Sequence, residues 1–345
     1  MQAVRYVGGD EPIAVTAVER PTVGPGEVRI DVRAASICGS DVHYREEATE
    51  FSPGTVPVTL GHEGAGVVTE VSNDVTAVSV GDRAIIHYVH SCGHCHPCLA
   101  GKDNRCRHRS SIGHDVDGTF AEEIVVPASC AIPMADTVPF AWGSVVGCAG
   151  ATAFHATKRA GIEPGESVAV FGAGGVGLQA IMWSVFRGAG TVIVVEPIAA
   201  RREAADEFGA DLTLDPERDD VAEAIAAMTD GWGADVALEC SGAAEAMTTA
   251  FDAVDGDNRY ESGTVVSIGL QETPLTATYW GLREGALYVS GDHTRSELRT
   301  IADLMASNRV DVSAAVADRI ALDAIEEGFD RVAAGADTGR IVVEP

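Results

Sequence analysis

Val168-Ala169-Val170-Phe171-Gly172-Ala173-Gly174-Gly175-Val176-Gly177 opens a stretch that closes on Thr191-Val192-Ile193-Val194-Val195-Glu196. An apolar run passes directly into Gly-x-Gly-x-x-Gly, and an acidic residue ends a second apolar run 19 positions after the last glycine. Between them Leu178, Ile181, Met182 and Val185 recur at helical spacing, which predicts an amphipathic helix linking two strands. A glycine-rich loop alone would read equally as a turn. Strand, loop, helix and terminal acid together form the dinucleotide-binding fingerprint in the context it requires. Gly172 permits the tight turn, Gly174 lets the backbone approach a pyrophosphate, and Gly177 lets helix and strand pack closely. Free N-H groups and the positive dipole end of the helix would face the phosphates. Glu196 is placed to accept from ribose hydroxyls and to repel an added phosphate, so NAD is expected over NADP, a preference that Arg201 and Arg202 nearby soften.

Working outward, segments after Glu196 alternate as a doubly wound sheet requires. Strands are expected at 211–215, 235–240, 264–268 and 286–289, making six with the first two. Helices between them carry Val221, Ile225 and Met228, then Met247, Ala250 and Val254. Cys240-Ser241-Gly242 ends the fourth strand on the ligand side, with Cys240 read as buried filler. From about Gly291 the chain leaves this sheet, through a helix with Leu298, Ile301, Ala302 and Met305 on one face and a later one with Ile325, Phe329 and Val332.

The N-terminal part reads differently. In Glu27-Val28-Arg29-Ile30-Asp31-Val32-Arg33 apolar and charged residues alternate, the mark of a strand with one buried face. Ile37-Cys38-Gly39-Ser40-Asp41-Val42-His43 then collects a thiol, a hydroxyl, a carboxylate and an imidazole. Such a cluster can supply a metal ligand, a proton-passing hydroxyl and a terminal base, although Cys38 also reads as a small buried hydrophobe. His62, 24 residues after Cys38 in Leu60-Gly61-His62-Glu63-Gly64, sits between glycines that suit a sharp bend into a cleft. A core histidine with a satisfied partner is the alternative.

Cys92-Gly93-His94-Cys95-His96-Pro97-Cys98, followed by Cys106, is the strongest local signal. Spacings of 3, 3 and 8 let four thiolates converge on one tetrahedral zinc ion in a closed, structural site, with His94 and His96 as possible competitors. The loop is otherwise polar, so zinc would replace a missing core.

Composition sets the bounds. A chain of 345 residues with 46% hydrophobic content can fill two cores. It shows neither a signal-peptide pattern nor an apolar run that could span a bilayer, so a soluble, cytoplasmic protein is expected, with no membrane partner. The formal charge of -28 argues against nucleic acid as a partner. Only Lys102 and Lys158 are lysines. An acidic surface so poor in lysine is expected of a protein kept soluble in concentrated salt, where screening cuts self-repulsion to about 3 Å. Equal stability in dilute and molar salt would leave an ordinary acidic bacterial enzyme. Four of the eight cysteines crowd into fifteen positions, which in an intracellular chain points to metal and not disulfides.

In order and spacing these segments resemble the zinc-dependent alcohol dehydrogenases of the medium-chain dehydrogenase/reductase superfamily, over essentially the whole chain to Gly339-Arg340-Ile341-Val342-Val343. The resemblance implies an α/β protein: a GroES-like β-rich catalytic domain from 1–149 and 290–345, with a zinc lobe at 92–106, plus a doubly wound six-stranded parallel Rossmann domain at 150–289. It implies two zinc ions per chain, one structural at Cys92, Cys95, Cys98 and Cys106, the other catalytic at Cys38, His62 and Cys148. Two cysteines and one histidine is the catalytic set that alcohol dehydrogenase itself illustrates. Cys148 is the odd member, because relatives use Asp or Glu there. Glu63 would exchange with water or substrate in the coordination sphere.

The implied chemistry is reversible hydride transfer from an alcohol or polyol to NAD, giving aldehyde or ketone. The proton would leave through Ser40, the nicotinamide ribose and His43, a residue type that titrates near neutrality. Cofactor contacts would come from Thr152, Gly172, Gly174, Gly175, Val176, Gly177, Glu196, Arg201 and Arg340, and Tyr88 matches a substrate-pocket position. Gly39 departs from relatives that carry an arginine there, so the pyrophosphate would lean on Arg340. Cys38 to Tyr44 is similar to the sorbitol dehydrogenase branch, whereas Cys148 is closer to simple-alcohol enzymes; threonine or butanediol oxidation stays open. Relatives of this kind are dimers or tetramers, so a homo-oligomer is expected. Two other readings are a non-catalytic nucleotide-binding relative and a zinc-free quinone reductase.

Overall fold

The computed structural model describes residues 1–8, 13–46, 56–255, 263–270 and 284–345. It divides into two compact units, Met1–Ala151 with Asp292–Pro345, and Thr152–Gly291. Among the described residues no helix is long and apolar enough to cross a membrane.

The first unit is built on a seven-stranded sheet ordered Ala131–Pro133, Arg83–Ile86, Glu63–Val71, Glu27–Ser36, Arg340–Glu344 and Val316–Ala321, with Glu123–Pro127 also pairing with Glu27–Ser36. In Glu27–Ser36 the alternation expected from sequence buries Val28, Ile30 and Val32. These residues join Phe120, Phe329 and Ile341 in one apolar cluster. Register decides what happens at the strand ends. Antiparallel pairing sets Ser36 opposite both Glu63 and Val342, so Cys38, His62 and Arg340 come from adjoining ends of three neighbouring strands. The backbone at Gly61 takes φ of +93°, where a side chain would be strained and a Cβ would lie 2.7 Å from Phe120. That bend turns His62 and Glu63 inward.

The second unit holds six strands, all parallel, ordered Leu212–Leu214, Thr191–Val195, Ser167–Phe171, Val236–Glu239, Thr264–Ser267 and Ala286–Val289. The six expected strands are present, with ends shifted by a residue or two. The helix Gly175–Arg187 buries Leu178 and Ile181 as its periodicity predicts, but leaves Val185 45% exposed. Trp183 is buried in its stead, edge-on to Phe154 at 4.8 Å, so the helix packs on two sides and its buried face is rotated from the expected one. Met228, expected on an apolar face, is also exposed, and Cys240 is half-buried, less enclosed than core filler.

Candidate active site and metal centres

In the first unit Cys38, His62, Glu63 and Cys148 place four donor atoms within 4.8 Å of one another, and all four residues are buried. Each arrives by a separate local device. Cys38 ends the segment leaving Glu27–Ser36, just before the helix Gly39–Glu46. His62 and Glu63 follow the Gly61 bend. Cys148 rides on a π-helical turn, Val146–Gly150, that interrupts the path from helix Phe140–Val145 to helix Ala151–Ala160. Such turns are rare and recur at functional sites because the extra residue redirects one side chain. Ser144 fixes this segment to the sheet, its hydroxyl 2.7 Å from that of Ser36.

Asp41 orients the cluster, a role its position in the sequence did not reveal. One carboxylate oxygen lies 3.1 Å from His62 Nδ1, and the other accepts from the Cys38 backbone N-H at 2.9 Å. With Nδ1 donating to Asp41, the lone pair on Nε2 is free for a metal, an arrangement common around zinc-ligating histidines. Arg340 is buried against the same group, its Nη2 donating to Glu63 Oε1 at 2.9 Å and to Cys38 Sγ at 3.2 Å. Its guanidinium is thus engaged with the ligand cluster.

Burial and mutual contact shift the titration of all four donors. A hydrogen bond from the Cys148 thiol and the nearby Arg340 hold Cys38 well below the ordinary thiol range, while that same bond and burial push Cys148 well above it. Burial opposes charge on His62, but Asp41 and Cys38 outweigh it and raise its pKa well above the usual value. Burial drives Glu63 up to about 8, with Arg340 pulling the other way. Glu63 Oε2 is buried with no hydrogen-bond partner among the described residues. A dication among two sulfurs, a nitrogen and this oxygen would satisfy all four donors, so the residues fit zinc.

The lobe fits zinc more simply. Sulfur separations are 3.4 Å for Cys95–Cys98, 3.5 Å for Cys92–Cys106, 3.8 Å for Cys95–Cys106 and 4.0 Å for Cys92–Cys98. A tetrahedron with Zn–S bonds of about 2.3 Å has edges of about 3.8 Å. Cys106 Sγ also accepts backbone N-H groups from Cys92 and His108, both at 3.3 Å. His94 and His96 are exposed, and His94 Nδ1 is taken by the Cys92 carbonyl at 2.8 Å, so the thiols alone converge.

Around the buried cluster, Ser40 Oγ lies 3.4 Å from His62 Nε2, and His43 sits on the exposed face of the same helix. Tyr88 is buried with its ring edge-on to His62, centroids 5.3 Å apart. Its hydroxyl donates to Asp292 at 2.7 Å, and burial holds its pKa well above the usual phenol value.

In the second unit the glycine loop is shaped as its sequence demands. Gly172 has φ of +90°, and a Cβ on Gly177 would lie 1.8 Å from the Gly172 carbonyl oxygen. A Cβ on Gly174 would meet nothing within 4 Å, leaving open space beside the first turn of helix Gly175–Arg187, where Gly175 and Val176 lie and Gly174 is a cap without a side chain. Uncapped N-H groups next to open space suit a pyrophosphate. Glu196 is buried, its oxygens accepting from Ala173 N at 2.7 Å and Ile198 N at 2.9 Å. Arg202 is committed to the Glu196 carbonyl and, at 3.1 Å, to Asp215, while Arg201 is half-buried. Thr152 is buried at the start of the unit.

A six-stranded parallel sheet with a glycine-rich turn in one unit, with a four-cysteine lobe and a mixed sulfur, nitrogen and oxygen cluster in the other, matches a zinc-binding dehydrogenase, an oxidoreductase. Residues 24–136 match the alcohol dehydrogenase GroES-like domain and residues 175–307 the zinc-binding dehydrogenase family. An alcohol dehydrogenase of Geobacillus stearothermophilus is 32% identical over 337 residues, covering 97% of this chain and 96% of the relative. An L-threonine 3-dehydrogenase of Pyrococcus horikoshii is 34% identical over 332 residues, covering 94% and 93%. The crystal structure of a zinc-binding dehydrogenase from Sinorhizobium meliloti bound to NADP superposes with a TM-score of 0.90 at 33% identity, covering 100% of this chain and 99% of that one. The chain belongs to the zinc-dependent alcohol dehydrogenase family of the medium-chain dehydrogenase/reductase superfamily.

Proposed function

We propose that the protein oxidises an alcohol or polyol to the aldehyde or ketone with NAD, using zinc at Cys38, His62 and Cys148 with Glu63 as an exchanging fourth donor. The observation that carries this reading is the buried cluster itself, four converging donors with Glu63 Oε2 unpaired among the described residues. When bound, zinc lowers the pKa of an alcohol proton by several units and the nicotinamide accepts the hydride. The residues of the chain do the rest. Asp41 fixes the His62 tautomer and ring plane. Arg340 offsets the negative charge of Cys38 and Glu63, which limits repulsion inside a buried site. Ser40 lies beside the cluster and His43 faces outward one helical turn on, a route by which a proton can reach water.

Two observations support NAD over NADP. Glu196 puts a carboxylate at the end of the second strand, and Arg202, a candidate partner for an added phosphate, is already paired with Asp215. The NADP named for the Sinorhizobium meliloti structure makes this the part to test first. The experiment is metal analysis followed by reduction of NAD and of NADP with a panel of alcohols, polyols and sugars. Two zinc ions per chain and alcohol-dependent NAD reduction are expected; a chain without zinc would instead favour the quinone reductase reading.

A further inference from the structure

Tyr88 forms a wall beside the buried cluster, edge-on to His62 at 5.3 Å and to His293 at 5.4 Å. Its hydroxyl donates to Asp292 Oδ1 at 2.7 Å. Asp292 is unusual in two ways. It holds a left-handed backbone conformation, φ of +55°, which non-glycine residues seldom adopt. Its carboxylate is also gripped by Arg109, which pairs with Oδ2 and lies 3.3 Å from Oδ1. Arg109 stands three residues beyond Cys106 and is itself held by the Asn104 carbonyl and the Ser111 hydroxyl, both at 3.2 Å. The cysteine lobe therefore reaches the wall of the site through one arginine.

We propose that Asp292 is a specificity-determining positioning residue: clamped by Arg109, it draws the Tyr88 proton away from the ligand cluster, so that Tyr88 presents an acceptor to the second hydroxyl of a vicinal diol. The inference rests on the reading that the cluster binds an alcohol. A phenol carries one proton and accepts through its remaining lone pairs. Here the proton is committed to a carboxylate, a charge-assisted bond stronger than a neutral one. Whatever meets Tyr88 Oη from the other side must therefore donate. Arg109 compensates the charge of Asp292, so the wall is an acceptor without being an anion, and a neutral hydroxyl suits it better than an ammonium. A simple alcohol, with its only hydroxyl taken up at the ligand cluster, would leave this acceptor unmet. Sites built to bond a substrate hydroxyl discriminate against analogues that lack it.

The test titrates the zinc-loaded protein by ligand-observed NMR with 1,2-propanediol and 2-propanol, which differ by one hydroxyl. One net hydrogen bond predicts a Kd ratio of about tenfold in favour of the diol. Tyr88→Phe should bring the ratio close to one; Asp292→Gly, which keeps the left-handed backbone, frees the phenol proton to donate, so that 1-methoxy-2-propanol, whose ether oxygen can only accept, should gain on the diol relative to the wild type. Asp292→Asn should retain the preference, because asparagine tolerates that conformation and its carbonyl still accepts the phenol proton. A merely structural role would weaken both alcohols together and leave the ratio intact. Equal Kd values in the wild type, a ratio that survives Tyr88→Phe, or tighter binding of 1-amino-2-propanol than of the diol would overturn the proposal. Turnover is scored separately. A protein that discriminates the pair but oxidises neither supports this inference and loses the dehydrogenase reading; one that oxidises both with equal Kd values does the reverse.

Discussion

The two sulfur-containing sites of the first unit are built on opposite plans. The lobe draws four thiols from Cys92 to Cys106, one continuous loop in which the short helix His96–Leu99 has no buried residue and Leu99 is 76% exposed. The mixed cluster gathers donors from the ends of two paired strands and a π-helical turn, with Cys148 packed into the main apolar cluster. In the first case the donors are local in sequence and the loop around them buries little apolar surface, so an ion would add to what holds it. In the second the fold imposes the geometry, and an ion has only to occupy it. A metal that substitutes for a core and a metal that uses one should respond differently to the loss of a ligand.

Cys38→Ser gives the sharpest contrast. Zinc content should drop from two ions per chain to one and turnover by on the order of a thousandfold, as several kcal/mol of Lewis-acid stabilisation is lost. The melting temperature should fall less than in the lobe variant below, because the strand ends stay in place. Undiminished turnover would remove the cluster from the chemistry. Cys98→Ser should do the opposite, losing the lobe zinc and several kcal/mol of stability. That loss corresponds to a fall of about 10 °C in melting temperature, with the cluster zinc retained. If both ions leave together, the two sites are not independent. Asp41→Asn comes next. It leaves every ligand in place but weakens the partner of His62 Nδ1, and zinc affinity at the cluster should fall about 10- to 100-fold in a chelator competition.

What the sequence revealed follows the same division. The lobe and the glycine loop were legible because their chemistry is written in consecutive residues: cysteines at fixed spacing, and glycines between an apolar run and a helix. The six parallel strands were legible because each is a short apolar run bounded by polar turns. The role of Asp41 was hidden in plain view, three residues after Cys38. The usable signal was that a ligating histidine needs an acceptor on its other nitrogen, and a carboxylate sits in the same helical turn as the first ligand. The contacts of Arg340 and Asp292 were not legible. Strand register brings Arg340 to Cys38 and Glu63 across 302 and 277 positions, and Arg109 meets Asp292 across 183. No local pattern encodes such pairings. Val185 failed for a different reason: periodicity finds an apolar face, but it cannot tell that Trp183 recruits a second one.

The smallest expected effect bears hardest on the comparison. Glu63 spends one oxygen on Arg340 at 2.9 Å and keeps the other buried and, among the described residues, unpaired. If it is an exchanging donor, Glu63→Gln leaves the amide carbonyl for Arg340 and three ligands for zinc. Affinity should then fall about tenfold at most, the low end of what a supporting residue contributes. The ion should remain at one equivalent in the cluster, and turnover should survive. Loss of the cluster zinc comparable to that in Cys38→Ser would mean that Glu63 is a permanent fourth ligand. The cluster would then be a closed four-donor site, as the lobe is, with no position left for an alcohol oxygen. Chelator competition on this one variant therefore decides whether the buried site differs from the lobe in openness or only in the elements that build it.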